Sequence, residues 1–172
     1  MIHRVLVGLG SNVGDRLGFL QKAVQELERT PGISIASISS VYETEPVGKK
    51  NQPRFLNAAL ELRSSISASQ VYERMKEIER LIGRTPTERW GPREIDLDLL
   101  YFDDEVIQGP AFIVPHRESS NRRFVLIPLS EIAADFIDPA KKCSIRSLLE
   151  SCPDTCEVVK SSFQLHSSAP EA

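Results

Sequence analysis

Gly83-Arg-Thr-Pro-Thr-Glu-Arg-Trp-Gly-Pro-Arg-Glu-Ile-Asp-Leu-Asp-Leu-Leu-Tyr101 divides into two halves of different character. From Arg84 to Glu94 the composition is that of a loop, with the cationic donors Arg84, Arg89 and Arg93 set among Pro86, Trp90, Gly91 and Pro92. From Ile95 onward the pattern is that of a strand. Ile95, Leu97, Leu99 and Tyr101 alternate with Asp96, Asp98, Leu100 and Phe102, so the two aspartates share one face of a sheet. Two residues of strand rise separate their Cβ atoms by about 7 Å.

Two ionised carboxylates side by side repel each other and are costly to desolvate, so a cation belongs between or above them. On a solvated face that cation is Arg89 or Arg93. Within a phosphate site it is a hard divalent ion; two such ions, about 3.5 to 4 Å apart, would bridge both carboxylates and the oxygens of a polyphosphate. Arginines would then neutralise the remaining phosphate charge through planar, bidentate donors. The arginines and Trp90 directly upstream favour the second reading.

Moving back along the chain, Ser67 and Gln70 form a capping-box pattern that opens a helix. Its inward residues are Val71, Met75, Ile78 and Ile82, and Gly83 ends it. Before it, Phe55 to Arg63 alternates cleanly as a strand. Leu56, Ala58, Leu60 and Leu62 lie on one face, and Phe55, Asn57, Ala59 and Glu61 on the other. A planar heterocycle stacked on Phe55 would find both a donor and an acceptor in the neighbouring Asn57; strand-end packing is the plainer role for the same pair. The polar segment Glu43 to Pro53, bounded by prolines, has the length of a binding or moving loop. Ile33 to Tyr42 is a strand whose alternation slips between Ile35 and Ile38, which marks a bulge or bend.

At the N-terminus, Val5 to Gly10 reads as a buried strand running into Ser11-Asn12-Val13-Gly14-Asp15. A helix follows, with Leu17, Leu20, Val24 and Leu27 on one face and Pro31-Gly32 as its stop. The turn is not a dinucleotide fingerprint, since Val13 stands where glycine is required and no acidic residue closes a strand about 20 residues later. It is a tight turn capped by Asn12 or Asp15.

Downstream, Asp103-Asp104 turns into a short strand at Val106-Ile107. Val114-Pro115-His116 then leads to Arg122, Arg123 and Phe124, where a histidine near arginines is suited to phosphate or to general acid work and equally to a plain surface position. Helices are expected at Phe124 to Ile132 and at Ser144 to Ser151, with a disordered polar tail from Ser161. The element order is strand, helix, strand, strand, helix, strand. The expected fold class is therefore α+β: a βαββαβ antiparallel sheet with helices on one face and the ligand site on the other, plus a C-terminal helical extension. One domain is expected over residues 1–160, followed by the tail at 161–172.

For 172 residues with a net charge of −3 spread through the chain, nothing suggests a broad nucleic-acid footprint. Cys143, Cys152 and Cys156, with no long apolar run or signal peptide, are expected to be reduced cytoplasmic thiols, and no membrane association is expected.

Gly10-Ser11-Asn12, Tyr42-Glu43-Thr44, Gln52 through Ala59, Arg89-Trp90-Gly91-Pro92-Arg93 with Ile95-Asp96-Leu97-Asp98, and Val114-Pro115-His116 through Asn121-Arg122 together resemble the 6-hydroxymethyl-7,8-dihydropterin pyrophosphokinase family of folate biosynthesis, over about residues 3–135. Singly these motifs are weak, but five in order are specific. The family's ferredoxin-like fold agrees with the element order. The resemblance implies that a diphosphoryl group passes from ATP to the pterin hydroxymethyl oxygen, releasing AMP; a monomer is the default expectation. It implies that Asp96 and Asp98 hold two magnesium ions (Mg2+), and that Arg84, Arg93, His116 and Arg122 contact phosphate. Arg89 and Trp90 would belong to a closing loop. Phe55 and Phe124 would sandwich the pterin, with Asn57 and the backbone around Thr44 and Val47 reading its edge. Two departures stand out. Only Thr85-Pro86-Thr87 lies between Arg84 and Glu88 where a further basic residue is common, and Arg117 follows His116 where some members carry an aromatic.

Two other classes share these features. Aromatics on an open sheet face also make RNA-binding modules, but the RNA-recognition signature is missing and Asp96 and Asp98 would repel a phosphate backbone. A non-catalytic homologue acting as a binding partner is disfavoured by the intact aspartate pair.

Overall fold

The computed structural model describes residues 1–48, 50–87 and 91–168. Strands β1 (His3–Ser11), β2 (Ile33–Ile38), β3 (Tyr42–Thr44), β4 (Phe55–Ser64) and β5 (Asp96–Phe102), with helices α1 (Arg16–Glu28) and α2 (Ala68–Ile82), make the body of the molecule. A small hairpin of β6 (Ile107–Gln108) and β7 (Ile113–Val114) follows, then α3 (Arg123–Ala133), α4 (Ile145–Glu150) and a last strand β8 (Val158–Lys160). The main sheet runs β5-β1-β4-β3-β8, with β2 also paired to β4, and its pairs are antiparallel.

Both long helices begin and end where local chemistry requires. Asp15, rather than Asn12, caps α1 by accepting from Gly18 N at 3.1 Å. Ser67 and Gln70 form the expected reciprocal box, and α2 stops at Gly83, whose φ of 106° favours a residue without a Cβ. Leu20, Val24, Leu27, Val71, Met75 and Ile78 pack onto Val5, Val7, Leu9, Leu56, Leu60 and Leu97 on one face of the sheet. The inward and outward sets expected for β4 are realised, and β2 slips register between Ile35 and Ser37.

Four expectations are corrected. First, the second face of the sheet is not left to ligands alone. Leu126, Leu129 and Ala133 of α3, with Ile145 and Leu148 of α4, cover Leu6, Ala59 and Leu100, so only one end of that face stays open. Second, the alternation of β5 breaks. The register against β1 shifts between Leu6 and Val7, passing from Tyr101 to Leu99, and this bulge turns Leu100 and Tyr101 together toward α3 while Leu99 and Phe102 face α1 and α2. Third, Ile33 to Tyr42 forms two strands, β2 and β3, which pair with successive parts of β4. Fourth, residues 161–168 do not form a loose tail. Ser161 donates to Val41 O through N–H and hydroxyl, Leu165 is buried in the first core, and Gln21 exchanges hydrogen bonds with the His166 backbone. A polar composition concealed that one leucine was enough to anchor the segment; residues 169–172 lie outside the described residues.

Candidate active site

Strand register builds the floor of the site. Gly10 of β1 lies opposite Asp96 on β5 and opposite Asn57 on β4; one step along, Gly8 lies between Asp98 and Ala59. Asp96 and Asn57 thus stand two strand spacings apart, about 10 Å, with a glycine between them. The two glycines leave a trough where side chains would otherwise stand. A cavity of about 190 Å³ occupies it, walled by Phe55 and Asn57, by Val47, by Phe124 at the start of α3, and by Arg93, Asp96, Asp98, His116 and Arg122. The expected site residues are therefore brought together with few exceptions. Thr44 stands just behind the wall, its buried hydroxyl accepting from Asn57 Nδ2 at 2.7 Å and so orienting the carboxamide. Arg84 reaches Asp96 from the side, at 3.9 Å. Arg89 and Trp90 lie outside the described residues.

A second cavity, of about 300 Å³, meets the first at Asp98 and His116. Tyr72 and Phe112 stack in its wall with ring centroids 4.8 Å apart, beside Lys76 and Arg117. His116 stands where the two cavities meet because its backbone N–H bonds to the carbonyl of the bulged Leu100 at 3.1 Å.

The electrostatics at the junction call for positive charge. Burial, then the neighbouring carboxylate of Asp96, push Asp98 up to about 8 despite Lys76 and Arg93 nearby. Arg93 Nη1 lies 3.1 Å from Asp96 Oδ2 and, with Lys76, only partly offsets the burial of Asp98. Burial lowers His116 below its ordinary value, so its imidazole is neutral at pH 7 and its Nε2, 3.6 Å from Asp98 Oδ1, adds no charge. This donor set fits a hard divalent cation: two carboxylates on one strand face, one of which cannot ionise readily alone. Among the described residues there is no cluster of three or more His, Cys, Asp or Glu side chains arranged for an ion, so further oxygens would come from phosphate or water. The arginines fit phosphate in the same way. Nε of Arg84 and Nε of Arg93 are buried and have no acceptor among the described residues.

Four residues of the site were given no site role in the sequence. Gly8 and Gly10 had a signal, since glycine at alternate positions of a strand marks close approach to its face. Asn12 stood in the Gly10-Ser11-Asn12 motif and as a possible cap, without the role it takes. Its Nδ2 donates to Gln52 Oε1 and to Pro53 O, each at 3.0 Å, and its Oδ1 accepts from Arg93 N at 2.8 Å, tying segments 40 and 81 residues distant. Glu79, on a helix face read as apolar, is buried, pairs with Lys76 at 2.9 Å and accepts from Leu97 N at the start of β5.

The family model described as 7,8-dihydro-6-hydroxymethylpterin-pyrophosphokinase matches residues 6–134. The 2-amino-4-hydroxy-6-hydroxymethyldihydropteridine pyrophosphokinase of Bacillus subtilis (strain 168) is 44% identical over 126 residues, 73% of this chain and 75% of the relative. That of Aquifex aeolicus (strain VF5) is 42% identical over 135 residues, 78% of this chain and 83% of the relative. Among solved structures, wild-type Plasmodium falciparum HPPK-DHPS with pterin and p-hydroxybenzoate has the same fold over 87% of this chain, with a TM-score of 0.68 at 15% identity; this chain spans 42% of that longer one.

Proposed function

This chain belongs to the 7,8-dihydro-6-hydroxymethylpterin-pyrophosphokinase family, and on that basis we propose that its two joined cavities receive 6-hydroxymethyl-7,8-dihydropterin and ATP on either side of Asp98. The protein is a pyrophosphokinase of folate biosynthesis. Its βαββαβ core is of the ferredoxin-like kind, a reading supported by the order β5-β1-β4-β2 with antiparallel pairing.

The pterin takes the cavity between Phe55 and Phe124. Its ring is flat and its edge alternates donors with acceptors; the rings offer stacking area, and Asn57, held by Thr44, offers one donor and one acceptor. The backbone near Thr44 and Val47 completes the reading of that edge. ATP takes the second cavity, where the stacked Tyr72 and Phe112 suit a nucleobase and Lys76 and Arg117 suit its anionic part. The observation that carries the proposal is the shared boundary: Asp98 and His116 line both cavities, so the hydroxymethyl group and the phosphates converge there.

The pterin hydroxymethyl oxygen forms a bond to the β-phosphorus of ATP, the bond from that phosphorus to the α,β-bridging oxygen breaks, AMP departs, and the hydroxyl proton is released. Such a transfer needs alignment and charge neutralisation more than covalent help. Asp96 and Asp98 would hold two Mg2+ ions, which supply charge neutralisation on the phosphates and acidify the hydroxyl. Arg84 and Arg93 offer guanidinium N–H groups to phosphate oxygens, as do His116 and Arg122. Arg89 and Trp90 would also contact the nucleotide.

The test is AMP release from ATP and magnesium, with and without the pterin. Native chain should give pterin-dependent AMP, and Asp98→Ala or Asp96→Ala should lose at least about a thousandfold in rate, as expected when a transition-state charge clamp is removed. Unaltered turnover in either variant would refute the assignment of the pair.

A further inference from the structure

The pterin walls come from three segments, the loop carrying Glu45 and Val47, the start of β4 with Phe55, and, far along the chain, the first turn of α3 with Phe124. Something must hold them at a fixed separation. Helix α3 begins at Arg122 without a cap from its own side chain. The cap comes from 31 residues downstream: Asp154 Oδ2 accepts from Arg123 N at 2.9 Å, a carboxylate at the positive end of the helix. Its other oxygen accepts from Cys156 N at 3.0 Å, which turns the chain directly into Glu157. Glu157 grips the opposite wall. Its N–H donates to Glu45 Oε1 at 2.9 Å, its carbonyl accepts from Glu45 N at 3.2 Å, and its carboxylate pairs with Arg54, the residue before Phe55, at 3.1 Å. Strand β8 then pairs with β3, with Val158 opposite Thr44, whose hydroxyl orients Asn57.

We propose that Asp154 and Glu157 are positioning residues of the pterin subsite: a short strap from beyond the family-matched region that sets the separation of Phe124 from Phe55 and the seat of the Glu45 to Val47 loop. The inference rests on the reading that this cavity takes the pterin. The strap touches no group lining the second cavity; Arg122, beside its anchor, pairs with Glu118 at 3.2 Å and also feels the Asp154 charge. Its larger effect is therefore on the pterin. Loosening it raises KM for the pterin and leaves ATP affinity and kcat in place.

The experiment measures pterin and ATP-analogue dissociation constants, with kcat, for Asp154→Ala, Asp154→Asn and Phe124→Ala alongside the native chain. Asp154→Ala should weaken pterin binding about fivefold, the size of a lost helix cap, with ATP affinity and kcat within about twofold. Asp154→Asn, which keeps an oxygen for the Arg123 N–H but sets an NH2 against the Cys156 N–H, should restore part of the pterin affinity. Should Asp154→Ala fail to fold, Glu157→Ala, which removes only the exposed pair with Arg54, replaces it with a smaller loss in the same direction. Pterin affinity that is unchanged, or that falls in step with ATP affinity, overturns the strap while Phe124→Ala still weakens pterin binding. Pterin binding that is indifferent to Phe124→Ala overturns the cavity assignment and the strap with it.

Discussion

A methyl group at Gly10 would sit 2.7 Å from Asn57 Oδ1, closer than any Cβ is found to an oxygen, whereas one at Gly8 would meet Leu100 and Asp98 at 3.6 Å or more. The carboxamide must therefore turn away in Gly10→Ala, breaking its bond with Thr44. Gly10→Ala should weaken pterin binding about tenfold, the loss of one buried hydrogen-bonded pair, while ATP binding holds; fluorescence titration of the pterin measures it. Equal affinity would show that Asn57 does not read the ligand. Residues of this kind divide by how local their partners are. Phe55 and Asn57 announce themselves through period two, and Asp96 and Asp98 through two charges on one strand face. Asn12 cannot be recognised that way, because its partners Gln52, Pro53 and Arg93 become neighbours only after folding. Glu79 is concealed for the same reason: its burial depends on Lys76, Arg84 and the Leu97 amide of β5 arriving around it.

Helix α3 is the element on which the site depends most, because it closes the second core with Leu126 and Leu129 and presents Phe124 to the cavity. Its far end is fastened by Glu131, which accepts from Tyr42 Oη at 2.7 Å and from Ser40 N at 2.8 Å. Burial works against ionisation there, but the bonds from Tyr42 and Ser40 prevail and hold Glu131 below the usual carboxylate range. A depressed folded-state value contributes stability that is complete above the unfolded value of about 4.3 and is lost as pH falls through the folded one. Glu131→Gln should therefore destabilise the chain at pH 7, with the difference shrinking progressively as pH falls below about 4.3, as thermal unfolding across that range would reveal. A difference independent of pH would mean that packing, not charge, fastens the helix. Helix positions and caps were legible from apolar spacing and from Ser67, Gln70 and Gly83. The bulge at Leu100 and Tyr101 was not, since it arises from pairing with β1 and leaves no mark on the apolar run Leu99 to Phe102.

Taken whole, the molecule is a sheet with one face closed by α1 and α2 and the other shared between α3, α4 and the site. The chain then returns through β8 and crosses back to α1, where Leu165 is 7% exposed and Ser167 and Ser168 bind Glu28. Leu165→Ala should cost about 2 kcal/mol in urea unfolding, the low end for a buried leucine, with catalysis preserved in the folded chain; no loss would mean that the segment does not pack in solution. The strand and helix order was readable because each element carries its own period. The second-face packing was not, because it depends on segments after residue 122 folding back over Leu6 and Ala59. Among the described residues no helix is long and apolar enough to cross a membrane. The central claim concerns which phosphorus is attacked, and phosphorus NMR of the chain with ATP, magnesium and 6-hydroxymethyl-7,8-dihydropterin reads it directly. AMP and a pterin diphosphate ester should grow in equal amounts with no ADP, whereas ADP beside a pterin monophosphate, or AMP without the pterin ester, would contradict it.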